Sequence, residues 1–197
     1  MREVSMNHLL ILASNSPRRK RLLKKLKINF DIFPSNINES KKLNLPPVDF
    51  AKYWAEKKAI DVGKHKPKNL IFAADTIVTY KNKILGKPKD KNESFRMLEL
   101  LSGRTHKVIT AIIFFNKEKN ILKSSHKETF VAVNKLSQNE IWNYINKNNT
   151  LDKAGAYGIQ GFFSVHINNI NGCYYNVMGL PLSLFYTEYK KIKYLIN

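Results

Sequence analysis

The stretch LIFAADTIVTY, residues 70 to 80, decides how this chain folds. A nearly unbroken apolar run of this length, rich in β-branched residues, reads as a strand buried on both faces. KNK, residues 81 to 83, turns the chain back into ILGKP, which gives the strand an antiparallel neighbour. Upstream, LLILA (residues 9 to 13) is a second buried strand. It stops at SNSP, where Ser16 occupies an N-cap position and Pro17 the first helical position. Leu22, Leu23 and Leu26 share one face of the helix that follows, and arginines and lysines fill the remainder. INFDIFP (residues 28 to 34) resumes as a strand.

The same alternation continues to the end of the chain. Residues 49 to 62 are expected to be helical, with Ala51, Trp54, Ala55, Ala59 and Val62 as the apolar stripe and Gly63 as terminator. Residues 93 to 101 form a short helix. KVITAIIFF and ILKSSHKETFVAV are adjacent strands joined by the polar turn NKEKN. Ser137 and Glu140 make a capping box for another helix. FFSVHINNI, residues 162 to 170, is expected to be a strand, and Pro181 opens a last helix running to about Leu195. Helices interleaved with strands, some of them antiparallel, predict an α/β fold: one domain over residues 1 to 197 with a mixed twisted sheet flanked by helices.

The chain has 197 residues, 34 Lys and Arg against 15 Asp and Glu, and a formal charge of +19. Such a balance suits nucleic acid, an anionic surface or phosphorylated small molecules. The lysines are spread along the whole sequence without a basic stripe or interleaved aromatic platform, so no specific nucleic-acid partner is expected. The lone Cys173 excludes an internal disulfide framework and a thiolate metal cluster. No segment approaches the length of a membrane span, and SPRRKR does not resemble a signal cleavage site. A soluble cytoplasmic protein without membrane contact is the expectation.

Chemistry is concentrated in a few places. At the start of the first helix, free backbone N–H groups and the positive end of the helix dipole suit an anion. Ser14 and Ser16 add hydroxyls there, and Arg18 and Arg19 add forks of donors for phosphate oxygens. The alternative is a capped surface helix with solvated arginines. Asp75 is the one acid within an apolar strand, where a carboxylate needs a partner or a metal, unless it merely caps a turn at a strand end. Glu39, in the loop NINES, is an exposed carboxylate by context. Lys87, in GKP, follows the hairpin that contains Asp75 and is either a turn lysine or a cation returned beside that carboxylate. No GxxxxGK[ST] pattern is present. DKAGAYGIQG, residues 152 to 161, sets Asp152, Lys153, Tyr157 and Gln160 among three glycines that let backbone approach a ligand. His8, His65, His106, His126 and His166 show no ligand spacing. Carboxylates and cations around glycine-rich turns suit phosphate and a divalent metal better than acyl transfer.

LASNSPRRKRLL, the glutamate of NES, WAEKKA, FAADTIV, ILGKPKD, MLELLSGRTHKVITA, DKAGAYGIQG and NGCYYNVMGLPLS together resemble one family. It is the Maf-like nucleoside triphosphate pyrophosphatases, also known as septum-formation-inhibitor homologues. The resemblance covers nearly the whole chain in the family's order. It implies a fold similar to the inosine triphosphatase group, a homodimer, and hydrolysis of the α–β phosphoanhydride of a nucleoside triphosphate with Mg²⁺ or Mn²⁺. By that resemblance, Ser14, Ser16, Arg18 and Arg19 hold phosphates and Asp75 is the catalytic base. Glu39 is catalytic or metal-associated, so Glu39 and Asp75 are the metal candidates. Lys58 and Lys87 line the phosphate site, and Gln160 belongs to the nucleotide loop. Thr76 after the aspartate resembles the dTTP/UTP type, whereas the 7-methyl-GTP branch more often has glutamine there. Two departures touch the rim of the base site: KNNTLDKAG lacks a preceding Gly-Glu-Pro, and Cys173 stands where serine is frequent. A non-catalytic regulator, binding nucleic acid or a cell-division partner through its basic surface, is the rival reading.

Overall fold

Leu70–Tyr80 is the central strand of a single seven-stranded sheet in a computed structural model, which describes residues 9–39 and 43–196. His8 lies outside the described residues. The strands are β1 (Leu10–Leu12), β2 (Phe30–Ile32), β3 (Leu70–Tyr80), β4 (Lys83–Leu85), β5 (Thr105–Asn116), β6 (Ile121–Val133) and β7 (Ile167–Asn171). Their order is β2-β1-β3-β5-β6-β7, with β4 also on β3. β1 runs parallel to β2 and β3, and every other pairing is antiparallel. The sheet is therefore mixed, as the sequence predicts. Lys81 and Asn82 take φ of 48° and 62°, the two left-handed residues that a tight hairpin turn between β3 and β4 requires.

The period of two along β3 divides the core. Ile71, Ala73 and Ile77 join Ile109, Ala111 and Ile113 of β5 beneath one helix, α2 (Pro47–His65). Leu70, Phe72, Ala74 and Val78 face a larger core on the opposite side. Leu22 and Leu23 of α1 (Pro17–Lys25) enter it, together with Leu98 and Leu101 of α3 (Lys91–Leu101). Ile141 and Ile145 of α4 (Gln138–Lys147) and Phe185 of the last helix contribute as well. Two helices follow β7, the single turn α5 (Tyr174–Val177) and α6 (Leu182–Ile196). Phe72 meets Phe185 edge-on, ring centres 4.6 Å apart.

Three local expectations need correction. Gly63 does not end α2, which continues to His65. It is a close-approach site: a β-carbon there would lie 2.3 Å from Cε1 of Phe115 on β5. α3 starts at Lys91 rather than residue 93, because Asp90 caps it by accepting from the backbone N–H of Glu93 at 2.7 Å. Residues 162–166 form a 3₁₀ turn, and only Ile167–Asn171 is strand. Phe163 is fully buried among Tyr144 and Tyr157, yet Val165 is 59% exposed. A strand would have put both on one face.

Candidate functional site

β1 and β4 bond opposite ends of the same edge of β3. β1 pairs with Leu70–Phe72 and β4 with Val78–Tyr80, so residues 73 to 77 have no strand partner on that side. A cavity of about 630 Å³ opens at this gap. Asp75 approaches it from the α2 face of the sheet and Thr76 from the α1 face, because neighbouring strand residues point to opposite sides. The loop after β1 brings Ser14 and Ser16, and the first turn of α1 brings Arg18 and Arg19. Glu39 comes from the loop after β2, Lys58 from α2, Lys87 from the turn after β4, and Gln160 from the glycine-rich loop. All ten residues singled out in the sequence line this one cavity.

The carboxylates meet at a lysine. Nζ of Lys58 lies 2.7 Å from Oδ1 of Asp75 and 2.8 Å from Oε2 of Glu39. Asp75 thus has the partner that its apolar strand demands, and the partner is Lys58. Lys87 borders the same cavity as an exposed side chain. Among the described residues there is no cluster of three or more His, Cys, Asp or Glu able to cage a metal. The point on which the two carboxylates converge holds the Lys58 ammonium; each carboxylate keeps a second oxygen, and an Mg²⁺-type ion, which takes one or two protein carboxylates and completes its shell with water and substrate phosphate, fits that donor set.

The arginines behave differently from each other. Arg18 donates to Asp152 through Nη1 to the carboxylate at 3.0 Å and through Nη2 to the backbone oxygen at 3.3 Å. Asp152 also pairs with Lys153, and these contacts hold its carboxyl below the usual range against the opposing effect of burial. Arg19 is held on three sides, with Nε on the Gly179 carbonyl at 3.0 Å, Nη1 on Ser14 Oγ at 3.2 Å and Nη2 on Thr76 Oγ1 at 3.0 Å. Burial lowers its pKa from the ordinary arginine value and Asp75 opposes that shift. A guanidinium has five N–H groups, so one on each terminal nitrogen remains uncommitted. Ser16 caps α1 by accepting from the Arg19 backbone N–H at 3.4 Å.

The glycine-rich loop is fastened from below. Gly155, at φ 67°, donates its N–H to the Gly86 carbonyl at 3.1 Å, and a β-carbon there would press within 3.0 Å of the Val78 methyls. His106 Nε2 and the Tyr157 hydroxyl are 2.7 Å apart. Burial drives the His106 pKa down to about 4 and pushes the Tyr157 phenol upward. Sequence reasoning gave no role to Asp152, although the lone acid of DKAGAYGIQG was visible. It assigns no role to Thr110, Asn176 and Gly179, although all three lie within MLELLSGRTHKVITA and NGCYYNVMGLPLS, two of the stretches that carry the family resemblance.

A family model described as Maf-like protein matches residues 9–192. The chain belongs to the Maf-like family. Three curated relatives of this Maf-like chain are named dTTP/UTP pyrophosphatase. The protein of Clostridium botulinum strain Alaska E43 is 45% identical over 175 residues, spanning 88% of this chain and 93% of its own length. That of Bacillus pumilus is 44% identical over 174 residues, 88% of this chain and 91% of that protein. The Fusobacterium nucleatum protein is 44% identical over 191 residues, 95% and 97% of the two chains. The Maf-like match spans every residue that lines the cavity.

Proposed function

We infer that this Maf-like protein is a nucleoside triphosphate pyrophosphatase, acting on dTTP and UTP at the α–β phosphoanhydride to release the monophosphate and pyrophosphate. The observation that carries the reading is a buried carboxylate, Asp75, set in a cavity walled by Arg18, Arg19, Lys58 and Lys87. Near-full-length similarity to dTTP/UTP pyrophosphatases supports the substrate class, and Thr76 with the DKAGAYGIQG loop supports the same type.

In this reading the triphosphate enters against the start of α1, where Ser14, Ser16, Arg18 and Arg19 take its oxygens. Lys58 holds the Asp75 carboxylate in place, and Asp75 accepts the proton of the attacking water. Arg19 and Lys87 stabilise the charge that grows on the leaving pyrophosphate. Glu39 and Asp75 would hold Mg²⁺ or Mn²⁺, which would supply charge neutralisation and polarisation of the phosphorus. Gln160, on the cavity wall, belongs to the nucleotide loop by the family resemblance. The homodimer implied by the family resemblance and the cytoplasmic location expected from the sequence belong to the same proposal. Among the described residues no helix is long and apolar enough to cross a membrane.

The test is a panel of dTTP, UTP, CTP, GTP and modified triphosphates, with and without Mg²⁺ or Mn²⁺, scored for monophosphate and pyrophosphate. Pyrophosphate from dTTP and UTP supports the reading. Orthophosphate alone places cleavage at the wrong bond, and no turnover with salt-sensitive DNA binding returns the regulator reading. Sedimentation of the purified protein checks the dimer.

A further inference from the structure

Behind the Arg19 guanidinium lies a closed ring of hydrogen bonds. Thr110, on β5 and wholly buried, donates its hydroxyl proton to the backbone oxygen of Asn176 at 3.0 Å. Thr110 Oγ1 is also 3.0 Å from Thr76 Oγ1. A hydroxyl carries a single proton, so the Thr76 hydroxyl must be the donor in that contact. Thr76 then meets Arg19 Nη2 only as an acceptor, which matches the 3.0 Å bond between them. The Asn176 carbonyl accepts a second bond from the Gly179 N–H at 2.9 Å, and the Gly179 carbonyl accepts from Arg19 Nε at 3.0 Å. The ring closes on the guanidinium from which it started.

The far side of the ring is fixed to the sheet. Asn176, also wholly buried, donates through Nδ2 to the Val108 carbonyl and to Thr129 Oγ1, each at 3.0 Å. Thr129 Oγ1 in turn accepts from the Cys173 N–H at 3.0 Å. The loop that supplies the Gly179 carbonyl therefore cannot shift without breaking bonds to β5 and β6.

We propose that Thr110 is a positioning residue: its hydroxyl fixes the direction of the Thr76 proton, so that Thr76 can only accept from Arg19 and the guanidinium is locked with its spare N–H groups available to the triphosphate. Without that acceptor the Thr76 hydroxyl is free to rotate, and its lone pairs are no longer held in a fixed direction toward the guanidinium. The proposal rests on the reading that Arg19 binds phosphate. The bond between Thr110 and Thr76 joins two neutral hydroxyls, and such a bond corresponds to roughly 2- to 10-fold in an equilibrium or rate.

The test compares Thr110→Val, which keeps the shape and removes the hydroxyl, with Thr110→Ser, which keeps the hydroxyl. Two quantities are read: kcat/KM for dTTP, and exchange of the Arg19 Nε–H with solvent followed by NMR without substrate. Thr110→Val is expected to lower kcat/KM by roughly 2- to 10-fold and to speed exchange at Arg19. Thr110→Ser is expected to restore both. Equal losses in the two variants would assign the effect to packing and overturn the proposal, as would wild-type kinetics or unchanged Arg19 exchange in Thr110→Val. Should Thr110→Val fail to fold, the wild-type protein still decides: an Arg19 Nε–H that exchanges as fast as that of Arg21 refutes the locked guanidinium. If the wild type releases no pyrophosphate from dTTP or UTP, the functional reading fails, and the substrate-free exchange experiment judges the ring separately.

Discussion

Replacing Lys58 by methionine removes the cation on which two carboxylates converge, and the two should respond very differently. The Lys58 and Asp75 side chains are 11% and 12% exposed and 2.7 Å apart. At an effective dielectric of about 20 their attraction is roughly 6 kcal/mol, much of it offset by the desolvation of both groups. Deleting one partner leaves the other charge buried, which costs about 3–5 kcal/mol. Glu39 sits at a similar distance, 2.8 Å, but its side chain is 47% exposed, and such solvated pairs contribute about 1 kcal/mol or less. Lys58→Met should therefore lower the unfolding free energy by about 3 kcal/mol, or roughly 6–12 °C in Tm for a domain of this size. Glu39→Gln should lower it by under about 1 kcal/mol. Lys58→Met/Asp75→Asn, in which neither buried charge remains, should recover most of the loss. Urea and thermal unfolding followed by circular dichroism on all variants would complete the cycle. A Lys58→Met protein within about 0.5 kcal/mol of wild type, or Glu39→Gln as damaging as Lys58→Met, refutes the argument that burial makes the Asp75 contact the dominant one.

Asp75→Asn alone should fold while turnover of dTTP falls by about 10²- to 10⁴-fold; near-normal kcat would remove Asp75 as base. Arg19→Ala should reduce kcat/KM more than Arg18→Ala, because Arg19 is locked toward the cavity while Arg18 is already engaged by Asp152; steady-state kinetics of both decide. His106 supplies a pH signature. Its folded pKa of about 4 lies below the ordinary 6.5, so on acidification the unfolded chain takes up the proton first. The stabilisation is complete above pH 6.5, falls as pH drops and is gone below about 4, a total of about 3 kcal/mol. Urea unfolding at several pH values should show that slope, and His106→Gln should flatten it. Gly155→Ala should destabilise the protein by about 1–3 kcal/mol by combining a left-handed backbone with contact against Val78, as thermal unfolding would reveal.

Much of the fold was readable because the physics is local. An apolar run of 11 residues can only be buried, Ser16 and Pro17 open α1 as an N-cap and first helical residue should, and Ser137 with Glu140 forms the capping box in full. What escaped the reading depends on distant neighbours. Gly63 resembles a helix terminator until Phe115 is set against it, and the aromatic pair of FFSVH resembles a strand until Tyr144 and Tyr157 claim Phe163. The site divides in the same way. Residues marked by charge in an unexpected place, Asp75 above all, could be picked out singly. Their grouping into one cavity had to come from the family resemblance. Thr110 and Asn176 lie in stretches that carry the family resemblance but have no charge to single them out, so their roles emerge only from three-dimensional contacts.

The unpaired stretch of β3 between β1 and β4 has a consequence for how the gene can change. Asp75 lies opposite Ala111 and Thr76 opposite Thr110 within a ladder that runs from Ile71 to Thr79. Those two consecutive residues serve opposite faces of the sheet, so a slip of one position sets either Thr76 before Lys58 and Ile77 before Arg19, or Ala74 before Lys58 and Asp75 before Arg19. Single-residue insertions or deletions within β3 or β5 are thus far harsher on the chemistry than most substitutions there. The hairpin tip at residues 117 to 120 lies beyond the last rung of the β5–β6 ladder, so a change of length there leaves the register at Asp75 and Thr76 intact.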